Sequence, residues 1–140
     1  MPIVKVTGPG HASHSFVLLH GTPGDHTDLE PVMALGPRDA TVAWVDLPDH
    51  GEAADELALN LDVLENDIVA AIESSAGAVT VVGYSLGAYL AARVLPRVGA
   101  KVARAVLISG LAHIDSEMAR AISGAPAQGY SIVYISGGNP

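Results

Sequence analysis

Short apolar runs, rich in β-branched residues, recur along the chain and restrict its fold more than any other feature. From the second run onward they are almost continuously apolar, whereas a strand with one face in water would alternate between apolar and polar residues. Parallel strands that are covered on both faces have this continuous character, so the runs predict a mainly parallel sheet. They span residues 3–6, 16–19, 42–45, 79–82, 102–108 and 132–135.

Helix-forming segments separate these runs. Before the fourth run, five apolar residues recur at helical spacing: Leu61, Leu64, Ile68, Ala71 and Ile72. The polar residues among them predict the side of this helix that faces water: Asp62, Glu65, Asn66, Asp67 and Glu73. Shorter helices are predicted at residues 29–35 and 116–122. The alternation predicts an α/β fold, a mostly parallel doubly wound sheet with helices on both faces, built as a single domain of residues 1–140.

The segment Gly83-Tyr84-Ser85-Leu86-Gly87 lies between a predicted strand and a predicted helix. A serine on such a tight turn is held in a strained conformation with its hydroxyl pushed out of the sheet, and the flanking glycines let strand and helix approach closely. The first N–H groups of the helix, beginning with Leu86, point to where an oxyanion would form. Tyr84 is at a position that packs under the turn more often than it lines a site. The pattern predicts a nucleophilic serine.

Composition and charge exclude several classes of protein. A formal net charge of −8 over 140 residues argues against nucleic acid or an anionic membrane surface as a partner. The sequence has no apolar run of the roughly 18 residues that a membrane span needs and no export signal, so the cytoplasm is the expected location. There is no cysteine, and His11, His14 and His26 lack the fixed spacing of metal ligands. We therefore expect neither a metal nor a cofactor.

Two further loops follow predicted strands. The loop H-G-T-P-G at residues 20–24 can bring one more backbone N–H, that of Thr22, to the oxyanion site. The loop D-L-P-D-H-G at residues 46–51 contains Asp46 and His50, although an aspartate in such a loop more commonly caps backbone N–H groups.

These three motifs together occur in the order and spacing of the α/β-hydrolase superfamily, which the chain resembles from about residue 16 to residue 110. The resemblance implies an α/β-hydrolase-like fold with Ser85 as nucleophile and the backbone N–H groups of Thr22 and Leu86 as oxyanion donors. It also implies that His20, together with Gly21, shapes the oxyanion loop. The family usually has glycine where this chain has an aspartate at residue 49.

The resemblance is incomplete after the nucleophile, because the family's last strand, its histidine loop and its final helix are missing. At the position where the family usually has its catalytic aspartate, this chain has Asn139. In a compact variant, His113 and Asp115 would serve as base and acid, since they follow the run at residues 102–108. Alternatively, a segment outside this sequence supplies the base, or the fold is a non-catalytic binding module.

The expected function is hydrolysis of a small ester or thioester through an acyl-enzyme at Ser85. The elbow also resembles that of the menaquinone-pathway synthase, a lyase whose serine–histidine pair abstracts a proton. Its anionic substrates need arginines near the site, and Arg93 and Arg97 are expected to point to solvent. A sheet that lacks its last strand exposes an edge, so we expect a homo-oligomer or a complementing chain there.

Overall fold

The computed structural model describes residues 3–8, 13–21, 25–34, 39–47, 61–108 and 131–135. Its strands are β1 (Ile3–Thr7), β2 (His14–Leu19), β3 (Thr41–Asp46), β4 (Ala78–Tyr84), β5 (Val102–Ile108) and β6 (Ser131–Ile135). Its helices are a 3₁₀ turn (His26–Leu29) that continues into α1 (Glu30–Met33), then α2 (Leu61–Glu73) and α3 (Leu86–Val98). Every predicted apolar run lies within a strand, whereas the helix predicted at 116–122 lies outside the described residues.

The six strands form one sheet in the order β1-β3-β2-β4-β5-β6. Neighbouring strands are parallel except for β1, which pairs antiparallel with β3 at one edge. The predicted mostly parallel α/β sheet is therefore confirmed. Because β2, β4 and β5 run in the same direction, their last residues (Leu19, Tyr84 and Ile108) lie together at one end of the sheet, which we call the carboxyl end.

Both faces of the sheet are covered by helices. On one face, α2 and α3 pack on alternate strand residues such as Val17, Val81 and Leu107, and this cluster forms most of the buried core. On the other face, a smaller cluster joins Leu18 and Val82 to apolar side chains of the 3₁₀ turn and α1. Since residues from both faces of a strand are buried, the strands need continuous apolar sequence. No helix among the residues described is both long enough and apolar enough to cross a membrane.

The predicted water-facing side of α2 is wrong at Glu65. This residue is only 7% exposed, and its carboxylate pairs with the guanidinium of Arg93 on α3. The guanidinium carbon of Arg93 also lies 5.7 Å from the centroid of the Tyr89 ring. The hydrogen bond to Glu65 raises the pKa of Arg93 above its ordinary value. The expectation that Arg93 points to solvent is therefore also wrong, whereas Arg97 is exposed.

Candidate active site

Ser85 joins the end of β4 to the beginning of α3 in a backbone conformation that side chains rarely adopt. Its φ is 54° and its ψ is −114°, and among the residues described it is the one non-glycine with positive φ. Such a conformation costs about 1–3 kcal/mol and persists where the surrounding structure enforces it. The strain therefore indicates a turn that holds this serine in one place.

Three glycines make this turn possible because they leave no room for a side chain. A Cβ on Gly87 would lie 2.0 Å from the Leu19 carbonyl oxygen of the neighbouring strand, and one on Gly83 would lie 2.5 Å from the Gly87 carbonyl oxygen. A Cβ on Gly21 would lie 2.8 Å from the Ser85 Cβ. The ends of β2 and β4 thus approach the start of α3 more closely than any other residue type would allow.

The backbone of the turn is held by hydrogen bonds on both sides of Ser85. Its N–H donates to the Ile108 carbonyl at 3.0 Å, and its carbonyl accepts from the Tyr89 N–H at 3.1 Å. Leu86 is the first residue of α3, so its N–H has no partner within the helix. That N–H makes no backbone hydrogen bond to another described residue, as its predicted role as an oxyanion donor requires. Thr22, the other predicted donor, lies outside the described residues.

His20 is completely buried behind the turn, and the backbone uses both of its ring nitrogens. Leu47 N–H donates to Nε2 at 3.0 Å, so Nε2 must be unprotonated, and Nδ1–H then donates to the Gly21 carbonyl at 2.8 Å. The imidazole is a neutral bridge that ties the end of β3 to the loop after β2. It positions this loop, and it has no free nitrogen with which to act as a base.

Tyr84 is exposed, although packing under the turn is the commoner arrangement at this position. Its exposed fraction is 41%, and its Cδ1 lies 2.9 Å from where a Cβ of Gly21 would be. The ring therefore borders the loop after β2 and remains open to solvent beside Ser85. The sequence pattern could not reveal this, because it depends on which elements cover that face of the sheet.

The described residues do not place the rest of a catalytic triad. His14 lies at the opposite end of the sheet, where its Nε2 is 2.7 Å from Thr80 Oγ1. Asp46 is buried at the end of β3. The candidates His113 and Asp115 lie outside the described residues, as do His11, His50, Asp49 and Asn139. No cluster of three or more His, Asp or Glu side chains suited to a metal occurs in the part of the chain that the structure describes.

The chain is similar to known proteins both in sequence and in structure. The chain is 29% identical over 119 residues to Protein PHYLLO, chloroplastic, of Arabidopsis thaliana, a match that covers 78% of this chain and 7% of that protein. A lipase-esterase related protein of Clostridium acetobutylicum superposes with a TM-score of 0.64 at 21% identity, covering 83% of this chain and 49% of that one. The type II thioesterase BorB from the borrelidin biosynthetic cluster gives 0.62 at 25% identity, covering 76% and 46%.

The chain thus spans less than half the length of these solved structures and a small part of the plant protein. The family model for the alpha/beta hydrolase family matches residues 16–136, which is most of the chain. This protein therefore belongs to the α/β-hydrolase family.

Proposed function

We propose that this protein is a serine hydrolase that cleaves a small ester or thioester through an acyl-enzyme at Ser85. The observation that carries the proposal is the strained turn at Ser85, which lies at the carboxyl end of the sheet directly before Leu86, whose N–H has no partner within its helix. Two of the similar structures bear the names of a lipase-esterase related protein and a thioesterase, which favours acyl transfer as the reaction class.

The chemistry begins when a base removes the proton of the Ser85 hydroxyl as its Oγ attacks the acyl carbon. The oxyanion that forms accepts hydrogen bonds from the N–H of Leu86 and, in the proposal, from that of Thr22. The carbonyl re-forms as the bond to the alcohol or thiol breaks, and the base returns its proton to that leaving group. Water then attacks the acyl-serine in the same way, releasing the acid and restoring the hydroxyl.

The base is His113, with Asp115 orienting it, or a histidine from a segment that completes the fold. Loss of the base in a serine hydrolase costs about 10⁶-fold in turnover, so its source decides whether this chain is active alone. β6 pairs only with β5 among the described strands, and it exposes Val133. We propose this edge as the place where a completing segment or a second copy pairs.

The test is capture of the acyl-enzyme with short-chain p-nitrophenyl and thiophenyl esters, followed by rapid acid quenching and mass spectrometry. The expected result is a mass increase equal to the acyl group, which disappears in Ser85→Ala. Ser74→Ala is the matched control, because this serine is exposed at the end of α2, and it must still form the adduct. An adduct as abundant in Ser85→Ala as in the parent would overturn the proposal, and so would the absence of an adduct in the parent even after a histidine-bearing segment is added.

The competing possibilities are a non-catalytic module and the lyase. A non-catalytic module predicts no adduct in any variant, even after a histidine-bearing segment is added. The lyase needs cationic side chains near Ser85, but the Arg93 guanidinium is already engaged by Glu65. Hydrolysis is therefore the function that the geometry favours.

A further inference from the structure

Tyr84 is the exposed apolar side chain nearest to the proposed nucleophile. Four large apolar residues are exposed among those described, namely Val6, Val32, Tyr84 and Val133, and Tyr84 directly precedes Ser85. At 41% exposure, a large part of this aromatic residue meets water, and any apolar surface left exposed costs roughly 25 cal/mol for each Å². A ring in this position has a physical reason to bind an apolar group.

The sheet gives this ring two well-defined neighbours. Along β4 the side chains alternate, so Tyr84 is on the face opposite to Gly83, which faces α3. The register places Tyr84 beside Ile108 of β5, which is partly buried in the smaller apolar cluster. On the other side the ring borders Gly21. Tyr84 is the exposed member of this group, Ile108 is partly buried and Gly21 is buried, and we call the three residues the Tyr84 platform.

The platform is linked to the nucleophile by covalent and hydrogen bonds. Tyr84 is the chain neighbour of Ser85, and the Ile108 carbonyl accepts the Ser85 N–H at 3.0 Å. No member of the platform is an acidic or basic residue, although the chain as a whole has a net charge of −8. A group that lies on the platform while an acyl carbon reaches Ser85 therefore contacts apolar side chains rather than a charged one.

We infer that the Tyr84 platform binds the hydrocarbon part of the substrate, so that the site prefers esters with an extended alkyl group to acetate-like esters of small alcohols. The inference rests on the proposed function, since it takes Ser85 as the reacting residue. Tyr84 is then a specificity-determining residue, and its aromatic ring, rather than its hydroxyl, provides the contact.

The experiment measures ester binding by NMR titration in Ser85→Ala, a protein that cannot form the acyl-enzyme. Methyl hexanoate carries its alkyl chain on the acyl side and its isomer pentyl acetate carries it on the alcohol side, while methyl acetate lacks the chain. At least one of the two isomers is expected to bind about tenfold more tightly than methyl acetate, or about 1.4 kcal/mol. Which isomer gains identifies the side of the ester that lies on the platform.

The preference is then compared in Ser85→Ala combined with each of three further substitutions. Tyr84→Ala is expected to abolish it, whereas Tyr84→Phe, which keeps the ring, should retain it. Val32→Ala is the matched control, because this residue is exposed to a similar extent (42%) but lies on α1, and it should also retain the preference. An unchanged preference in Tyr84→Ala, or no preference for either isomer, overturns the inference.

These outcomes are separable from failure of the proposed function. Binding is measured without the Ser85 hydroxyl, so it does not depend on whether that hydroxyl reacts. A preference that depends on Tyr84, found together with no acyl adduct in the parent protein even after a histidine-bearing segment is added, would refute the hydrolase and leave an apolar ligand site.

Discussion

At its amino end the sheet carries His14 and Ser15, and at its carboxyl end it carries His20 and Ser85. Ser15 Oγ donates to the Ala76 carbonyl at 2.5 Å, and the His14 ring is hydrogen-bonded to Thr80, so both side chains are engaged in holding strands together. At the carboxyl end the histidine is equally engaged, but no hydrogen bond joins Ser85 Oγ to another described residue.

Position in the sheet, more than residue type, therefore decides which serine and histidine side chains remain available for chemistry. At the amino end, the side chains of His14 and Ser15 form hydrogen bonds with groups at or just before the start of β4. At the carboxyl end, the sharp passage from β4 to α3 leaves the N–H of Leu86 and the hydroxyl of Ser85 without hydrogen bonds to the residues that the structure describes. Ligands of open α/β sheets bind at this end for the same reason.

The largest expected effect comes from adding a methyl group at Gly87, where α3 and β2 approach each other closely at the carboxyl end. Gly87→Ala places a Cβ within 2.0 Å of the Leu19 carbonyl oxygen, where the contacting atoms are backbone and cannot move aside. We expect a loss of about 3 kcal/mol or more in the free energy of unfolding, measured by urea denaturation. Gly99→Ala is the control, because Gly99 has a helical φ of −53° and should tolerate alanine without loss.

An equivalent substitution at the other end separates stability from reactivity. Gly77 has a φ of 66°, and a Cβ there would lie 2.1 Å from the Ser13 carbonyl oxygen. Gly77→Ala should therefore also destabilise the protein, by about 2–3 kcal/mol. Ser85 in the folded fraction of this variant should nevertheless be acylated at the parent rate. A large loss of acylation in Gly77→Ala would show that the amino end also controls the reactivity of Ser85.

The next largest loss of stability is expected from breaking the ion pair between Glu65 of α2 and Arg93 of α3. Glu65→Ala leaves the Arg93 guanidinium partly buried without its partner, and we expect a loss of about 1–3 kcal/mol after allowing for its residual exposure. Because the pair raises the pKa of Arg93, the arginine remains charged and this contribution persists until the pH rises above the ordinary arginine pKa, which is far above pH 8. The loss measured at pH 6 and at pH 8 should therefore agree.

Glu73→Ala is the control for this ion pair, since Glu73 is exposed at the end of the same helix. Its effect should stay within about 0.5 kcal/mol. A loss equal to that of Glu65→Ala would mean that the net charge of α2, rather than the pair, is responsible.

The smallest effect is expected from Thr80→Val at the amino end. The substitution keeps the shape of a buried side chain and removes the hydrogen bond to His14, which can turn to water instead. We expect a loss of about 0.5–1.5 kcal/mol in thermal or urea unfolding. The acylation rate of Ser85 should be unchanged, and a fall of tenfold or more would show that the two ends are coupled.

Much of the fold could be predicted from the sequence, because burial on both faces demands uninterrupted apolar strands and the runs show them directly. The turn at Ser85 could also be predicted from the sequence, since its glycines have the spacing that lets β4 and α3 approach each other closely. The Glu65–Arg93 pair and the exposure of Tyr84 were not, because each depends on residues that are distant along the chain. Helical periodicity placed Glu65 in water, but it carries no information about Arg93 on the neighbouring helix.

The most direct test of the difference between the two ends is to map a fluorophosphonate adduct over every serine of the chain by peptide mass spectrometry. We expect modification of Ser85 alone, with Ser15 unmodified and with no labelling in Ser85→Ala. Modification of Ser15 in the folded protein, or labelling of the Ser85→Ala variant at the parent rate, would contradict this expectation.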